Sequence, residues 1–248
     1  MAEKRAEILD IAVALADERG LAAVSMRAIA QRVGVTPMAL YPYIGNKTAL
    51  LDAMLGHLLG QLQPAASEPA GAGGAGGAGG SGRPAGADGT GAPGAAEGGA
   101  AGGTWTERLG LIAQAARAVV TAHPWAAELV FARPAVTPDS VRTVDLLYTA
   151  LLEAGVPPAE VPRLERMLST VVIGFAASEA GGRFGSKDDP RSFRGMLPDG
   201  TLPGHAELAA TLDNPVDWDA EFEADIADLR LLIEAVARRA APAGPASS

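Results

Sequence analysis

Apolar residues recur at every third or fourth position through most of the chain, which is the spacing that predicts amphipathic helices. The first predicted helix has one apolar face made by Ile8, Ile11, Ala12 and Leu15. The fourth predicted helix is leucine-rich over residues 50–62. The continuous alternation of apolar and polar residues that predicts strands does not occur in the sequence. The pattern therefore predicts an all-α protein.

Short polar residues and glycines divide the first 63 residues into four helices. Ser25, Thr36 and Asn46 each stand just before a helical pattern, where a side-chain oxygen can cap the first turn. Gly20 and Gly34 stand where the preceding helices end, because glycine adopts the left-handed conformation without strain. The second and third helices thus have the layout of a helix-turn-helix, whose second helix can enter a major groove.

Helical spacing returns after residue 103 and continues almost to the end of the chain. The predicted helices cover about 106–122, 125–132, 138–154, 158–180 and 218–240, and a short helix is predicted at 205–212 within an irregular stretch, 181–217. Between the two helical regions, residues 64–103 contain no apolar side chain larger than Ala or Pro, which predicts a disordered linker. The predicted organisation is therefore a domain at 1–63, the linker at 64–103, a domain at 104–241 and a disordered tail at 242–248.

Charge and composition narrow the function classes. The chain has a net charge of −9 and no cysteine, so a disulfide scaffold, a thiolate nucleophile and cysteine-ligated metals are excluded. The first 63 residues carry six basic and six acidic side chains, so this region has no net positive charge. Any contact with DNA must therefore be made by a few specific side chains and not by a generally basic surface. The N-terminus lacks a signal peptide's apolar core, and no apolar run is long enough for a bilayer, which predicts a cytoplasmic protein without a membrane partner.

Residues 40–51, LYPYIGNKTALL, carry a more specific signal. Together with the preceding Gly34-Val35, they resemble the signature of the TetR family of transcriptional repressors, and the likeness extends from about Arg5 to Leu59. One residue departs from the pattern. Because Pro42 lacks a backbone donor, we expect the recognition helix to stop or bend there.

The resemblance implies a three-helix DNA-binding domain followed by a helical domain for ligand binding and dimerisation. It implies a homodimer formed through helices at about 158–180 and 218–240, which binds a near-palindromic operator and is released by a small-molecule effector. Dimers of this kind have half-sites about one helical turn apart, roughly 34–36 Å.

The resemblance and the side-chain chemistry together indicate the DNA-binding residues. A hydroxyl or ammonium suits a phosphate, an arginine suits a phosphate or a guanine edge, and apolar groups suit thymine methyls. The predicted set is Arg27, Thr36, Pro37, Met38, Tyr41, Tyr43 and Lys47. For Tyr41 and Tyr43, packing in the core of the small domain is the alternative.

Ligand-binding candidates are the large side chains near helix centres and at one helix junction. They are His123, Trp125, Phe131, Tyr148, Met167 and Phe175. Each has ordinary core packing as its alternative, and for His123 the alternative is a helix-end cap. No cofactor, catalytic residue or metal site is predicted.

Other functions stay open from the sequence. The chain could activate transcription, or regulate it without a small ligand. An enzyme is disfavoured because His57, His123 and His205 lack metal-ligand spacing and no nucleophile or phosphate-binding motif occurs. A scaffold that uses residues 64–103 is the third class, and sequence-specific DNA binding would reject both the enzyme and the scaffold.

Overall fold

The computed structural model describes residues 2–63, 103–183, 201–212 and 214–240. Apart from Gly103, the predicted linker at 64–103 lies outside these ranges, as do residues 184–200 and the predicted tail at 242–248. Every regular element in the described ranges is helical, so the predicted fold class is confirmed. None of these helices is both long and apolar enough to cross a bilayer.

The α-helices of the described chain are numbered in order. They are α1 (Ala2–Arg19), α2 (Met26–Val33), α3 (Tyr41–Ile44), α4 (Lys47–Gly60), α5 (Trp105–Ala122), α6 (Ala126–Ala132), α7 (Pro138–Glu153), α8 (Val161–Ala180), α9 (Pro203–Glu207), α10 (Ala209–Leu212) and α11 (Trp218–Ala240). Two short 3₁₀ helices, Leu21–Ala23 and Pro37–Leu40, precede α2 and α3. Helix α8 begins three residues later than predicted, whereas α1, α2, α4, α5 and α11 begin and end near the expected residues.

Two of the three predicted caps in the N-terminal region are formed. The Ala28 backbone N–H donates to Ser25 Oγ at 3.2 Å, and the Ala49 N–H donates to Asn46 Oδ1 at 2.9 Å. Gly34 ends α2 with φ +77°, the left-handed conformation that glycine accepts most readily. These local interactions fix the turn between α2 and the following helix.

The third predicted helix differs from the expectation. Thr36 precedes it but its side chain makes no capping hydrogen bond. Residues Pro37–Leu40 form a 3₁₀ helix that runs directly into α3. Pro42 lies in the first turn of α3, where a backbone N–H has no helical partner to lose, so it does not end the helix there. The predicted stop at Pro42 is therefore wrong.

Capping boxes begin two helices of the C-terminal region. Thr104 and Glu107 form one at the start of α5, and Thr137 and Ser140 form the other at the start of α7.

Arg117 of α5 forms ion pairs with both α8 and α11. Its Nη2 lies 2.6 Å from a Glu179 oxygen and its Nη1 lies 2.8 Å from an Asp219 oxygen. The hydrogen bond to Glu179, more than any other contact, raises the pKa of Arg117, which stays charged.

Helix α6 packs with the N-terminal helices although it follows α5 in sequence. Trp125, Ala126 and Leu129 are buried in one hydrophobic cluster with residues of α1, α2 and α4. We call this cluster the first core. Two further clusters lie between α5, α7, α8 and α11, and Leu62 contributes to one of them. The first core therefore includes part of the C-terminal region, and the two regions are joined by packing as well as by the chain.

Helix α4 also approaches α7 closely. A Cβ on Gly56 would lie 2.2 Å from Thr137 Oγ1, so the glycine permits this approach. Farther along, Thr143 Oγ1 donates to the Leu59 carbonyl at 2.8 Å, and Gln63 Nε2 donates to the Asp139 carbonyl at 3.0 Å. Helix α4 is thus held on both sides, by the first core and by α7.

Candidate nucleic-acid interface and ligand cavity

The residues predicted to bind DNA lie on consecutive elements that pack against one another. Met38 is 75% exposed and Tyr41 is 44% exposed. Tyr43 differs, because it is half-buried and packs against the first core. The other predicted residues are exposed, and they are Arg27, Thr36, Pro37 and Lys47. We call the six exposed residues the candidate DNA surface.

Two cations of this surface are free to meet a phosphate. Within the described residues, neither Arg27 nor Lys47 forms an ion pair. Lys47 also lies at the N-terminus of α4, where the backbone N–H groups favour an anion. Arg32 is different, because its Nη1 donates to Glu18 Oε1 at 2.9 Å. This hydrogen bond raises the pKa of Arg32 and lowers that of Glu18, and it commits Arg32 to α1.

A polar contact joins the start of α6 to α1. His123 Nδ1 and Trp125 Nε1 both lie 2.7 Å from the same carboxylate oxygen, Oδ1 of Asp17. His123 is also the C-cap residue of α5. These two predicted ligand residues therefore connect the two regions and do not line the cavity described next.

A cavity of about 790 Å³ lies between the helices of the C-terminal region. Its lining comes from α4, α5, α6, α7, α8 and α11 and from residues 133–135, and it is mostly aliphatic. Among the residues that line it are Leu55, Leu59, Ile112, Leu168, Ile173 and Ile226. This volume lies within the range of small-molecule sites, roughly 300–1,000 Å³.

Of the six predicted ligand residues, Phe131 and Tyr148 line the cavity. The other four are not among its lining residues. Trp125 belongs to the first core, and His123 binds Asp17. Met167 packs against a cluster of buried side chains, and the Phe175 ring packs against aromatic rings of α11, 5.1 Å from Phe222.

Three arginines that were not predicted as ligand residues also line the cavity, and they are Arg133, Arg166 and Arg230. Arg133 Nε donates to Asp52 Oδ1 of α4 at 2.7 Å. Arg230 lies on α11 between Ile226 and Ile233, in the middle of the apolar stripe. A cation inside an apolar stripe is a signal that could have been read from the sequence.

Family comparison agrees with this geometry. The model described as "Bacterial regulatory proteins, tetR family" matches residues 8–54, and the model "Tetracyclin repressor-like, C-terminal domain" matches residues 98–237. The second match alone covers more than half of the chain. The chain belongs to the TetR family.

Individual TetR relatives extend the likeness over most of the chain. An HTH-type transcriptional regulator of Saccharopolyspora erythraea is 26% identical over 222 residues, which are 88% of this chain and 78% of the relative. The HTH-type transcriptional repressor DrrR1 of Streptomyces coeruleorubidus is 26% identical over 172 residues, 69% of this chain and 52% of the relative. The chain thus spans about half of DrrR1.

Solved TetR structures share the fold. Apo ActR from Streptomyces coelicolor is 22% identical with a TM-score of 0.72, and the match covers 96% of this chain and 97% of ActR. ActR bound to actinorhodin is 21% identical with a TM-score of 0.70, covering 94% and 97%. The chain is therefore a TetR-family transcriptional regulator with an N-terminal helix-turn-helix domain and a C-terminal helical domain. Its described residues contain no group of three or more His, Asp or Glu side chains placed to hold a metal ion.

Proposed function

We propose that this chain represses transcription by binding a near-palindromic operator as a homodimer, and that a small molecule in the cavity releases it. In this proposal the candidate DNA surface contacts the operator. The supporting chemistry is the pair of free cations, Arg27 and Lys47, beside the exposed side chains of Met38 and Tyr41. Tyr43 contributes through its packing on the first core, with its hydroxyl edge as a further candidate contact.

The observation that carries the proposal is that α4 belongs to both candidate sites. Lys47 is its first residue, and Leu55 and Leu59 line the cavity. Leu55 lies eight positions after Lys47 along the helix, which is about 12 Å at 1.5 Å per residue. A ligand that displaces the side chains of α4 in the cavity would therefore move the candidate phosphate contact as part of one rigid helix.

A polar contact supports the same route. Arg133 lines the cavity while its Nε donates to Asp52, which lies five positions after the first residue of α4. Its Nη2 also lies 3.4 Å from the Thr48 carbonyl. A ligand can change operator affinity only if it binds one conformation better than the other. Contact between the ligand and Arg133 would provide that difference at the end of α4 nearest the DNA.

The homodimer would form through α8 and α11, as the family resemblance implies. Val171 on α8 and Leu231 on α11 are large apolar side chains left exposed, and Leu231 is 59% exposed. Gly174 on α8 has no atom within 4 Å of the position its Cβ would take, so a second helix could approach closely there. A second copy would bury these groups, and it would present two candidate DNA surfaces to one operator.

The direct test is footprinting of DNA from upstream of the chain's own gene, at about 0.15 M salt with excess competitor. We expect a protected near-palindrome whose half-sites are about one helical turn apart. If that region gives no protection, selection from a randomised duplex pool supplies the target. A folded protein that selects no sequence from the pool would overturn the proposal.

The release step is tested on the same operator with compounds that raise the melting temperature of the protein. Ala113 lines the cavity, so Ala113→Trp should prevent these compounds from releasing the DNA while operator binding persists. The matched control is Ala118→Trp, at an exposed position on the same helix. Equal release from both variants would show that the compounds act elsewhere.

A further inference from the structure

Arg230 is half-buried in the C-terminal region, and its Nε atom has no hydrogen-bond partner among the described residues. Its side chain lines the cavity from α11, and its Nε atom is buried. Within the described residues, that Nε donates no hydrogen bond. A buried donor without a partner destabilises a protein, and a buried cation does so more strongly. A buried guanidinium nitrogen that donates no hydrogen bond, in a mostly aliphatic wall, therefore calls for a reason.

The carboxylates beside Arg230 are committed to other donors. Glu107 and Glu223 share a small outer pocket with Arg230. Glu107 accepts from the Thr104 backbone N–H at 2.6 Å in a capping box, and Glu223 accepts from the side-chain amide of Gln114. Neither carboxylate forms an ion pair with Arg230 within the described part of the chain.

Helix α5 leaves room for the Arg230 guanidinium. A Cβ on Gly110 would lie 2.7 Å from Arg230 Nη2, a distance that real Cβ contacts do not reach. Any larger residue at position 110 would push this flexible side chain aside. The glycine thus lets the guanidinium lie between α5 and α11, where it borders both the cavity and the outer pocket.

The other charged side chains of the cavity are engaged or lie in solvent. Arg133 binds Asp52, and Glu165 accepts from Ser169 at 2.9 Å. Asp145 and Arg166 are exposed. Among the cavity-lining cations in the described part of the chain, Arg230 is therefore the one that is both unpaired and partly buried. Arginine is well suited to this because its planar guanidinium binds carboxylate, sulfonate and phosphate oxygens in pairs.

We propose that the effector is an amphipathic anion, mainly apolar, whose acidic group is bound by Arg230 while its apolar body lies against the aliphatic side chains of α4, α5, α7 and α8. This inference rests on the proposed function, since it names the chemical class of the ligand in the same cavity. It adds a requirement that the cavity alone does not impose, namely a negative charge.

Two dyes of nearly identical shape test that requirement on the full-length protein. 8-Anilinonaphthalene-1-sulfonate carries a sulfonate, and N-phenyl-1-naphthylamine is its uncharged counterpart. Both fluoresce in apolar sites. We expect Arg230→Gln to weaken sulfonate binding about tenfold or more, the size of one buried charge-assisted hydrogen bond, and to change binding of the neutral dye less than about threefold.

Arg166→Gln is the matched control because it removes another cavity-lining arginine, one that is exposed. It should change binding of both dyes less than about threefold. Arg230→Lys keeps the charge and should retain part of the sulfonate affinity. Thermal melts check that each variant folds, and Arg230→Met, which keeps the aliphatic bulk, replaces the glutamine variant if that one is unfolded.

Several outcomes would overturn the inference. These are unchanged sulfonate binding in Arg230→Gln, an equal loss of both dyes, or an equal effect of Arg166→Gln. In each of these cases both dyes still bind the wild-type protein, so the cavity takes such molecules and the proposed function stands. If neither dye binds, or if Ala113→Trp leaves both dyes bound, the cavity does not take such molecules, and the effector step of the proposed function fails with the inference.

Discussion

The two regions of this TetR-family chain differ in how their interiors are filled. The first core is closely packed, and Ile8, Leu50 and Met54 within it are fully buried. The helices of the C-terminal region instead surround a cavity of about 790 Å³. A packed interior holds surface side chains in one geometry, which suits recognition of a fixed DNA target. An incompletely filled interior can rearrange around a ligand.

The regions also differ in where they leave charges without partners. Arg27 and Lys47 are exposed, so water hydrates them and their free state carries little penalty. The Nε of Arg230 is buried, so its free state destabilises the fold. An unpaired cation on a surface is therefore weaker evidence for a binding site than an unpaired cation inside a cavity.

The largest expected effect comes from truncating matched leucines in the two interiors. Leu50→Ala should lower the free energy of unfolding by about 3–4 kcal/mol, because the first core cannot collapse around the lost atoms. Leu168→Ala should lower it by about 1–2 kcal/mol, since Leu168 already faces empty space on one side. Urea denaturation of both variants measures the difference. Equal losses would mean that the two interiors are packed alike.

Removing a charge from the candidate DNA surface ranks next. Lys47→Ala should weaken operator binding by about 2 kcal/mol per dimer, because each subunit loses one phosphate contact. The slope of log affinity against log salt should fall by about 2. Fluorescence anisotropy at several salt concentrations measures both quantities. Arg142→Ala, on the exposed side of α7, should change neither, and an effect as large as that of Lys47→Ala would assign the loss to net charge alone.

Replacing one buried alanine in each interior by leucine adds side-chain atoms, where the leucine variants above remove them. Ala53 is buried in the first core and Ala113 lines the cavity, and both lie within helices. Ala53→Leu should destabilise the protein by about 1–3 kcal/mol through overpacking. Ala113→Leu should change stability by less than about 0.5 kcal/mol, because its added methyl groups enter open space. Thermal melts compare the two, and equal destabilisation would show that the cavity cannot accept added side-chain atoms.

The smallest effect concerns the link between the regions. Asp52→Asn, Arg133→Gln and the double variant form a cycle whose interaction free energy we expect at about 1 kcal/mol, since both side chains are mostly buried. Compounds that release wild-type protein from DNA should need several-fold higher concentrations with either single variant. Retention of wild-type release by all three variants would exclude this ion pair from the coupling route.

Local interactions explain why the helices could be predicted from the sequence. Ser25 and Asn46 cap their helices through atoms three residues away, and Gly34 ends α2 by its own backbone preference. The same rules failed at Pro42, because the outcome depended on where the α-helical turns begin after the 3₁₀ helix. A one-turn shift converts a helix-breaking position into a favourable one.

The cavity could be predicted only in part, because it depends on contacts between distant segments. Phe131 and Phe175 are both large side chains within predicted helices, yet Phe131 borders the cavity and Phe175 packs against Phe222. Spacing identifies which face turns inward but not whether a side chain or an empty space lies opposite. Arg230 is the exception, since its charge within an apolar stripe was visible in the sequence.

Trp125 gives the protein an internal optical reporter. It is one of three tryptophans, and its indole donates to Asp17 across the junction between α6 and α1. Indole emission depends on hydration and on nearby charge, so a change in this contact would shift the spectrum without any attached label. With Trp105 and Trp218 replaced by phenylalanine, stopped-flow emission could time the relative movement of the two regions while the DNA dissociates.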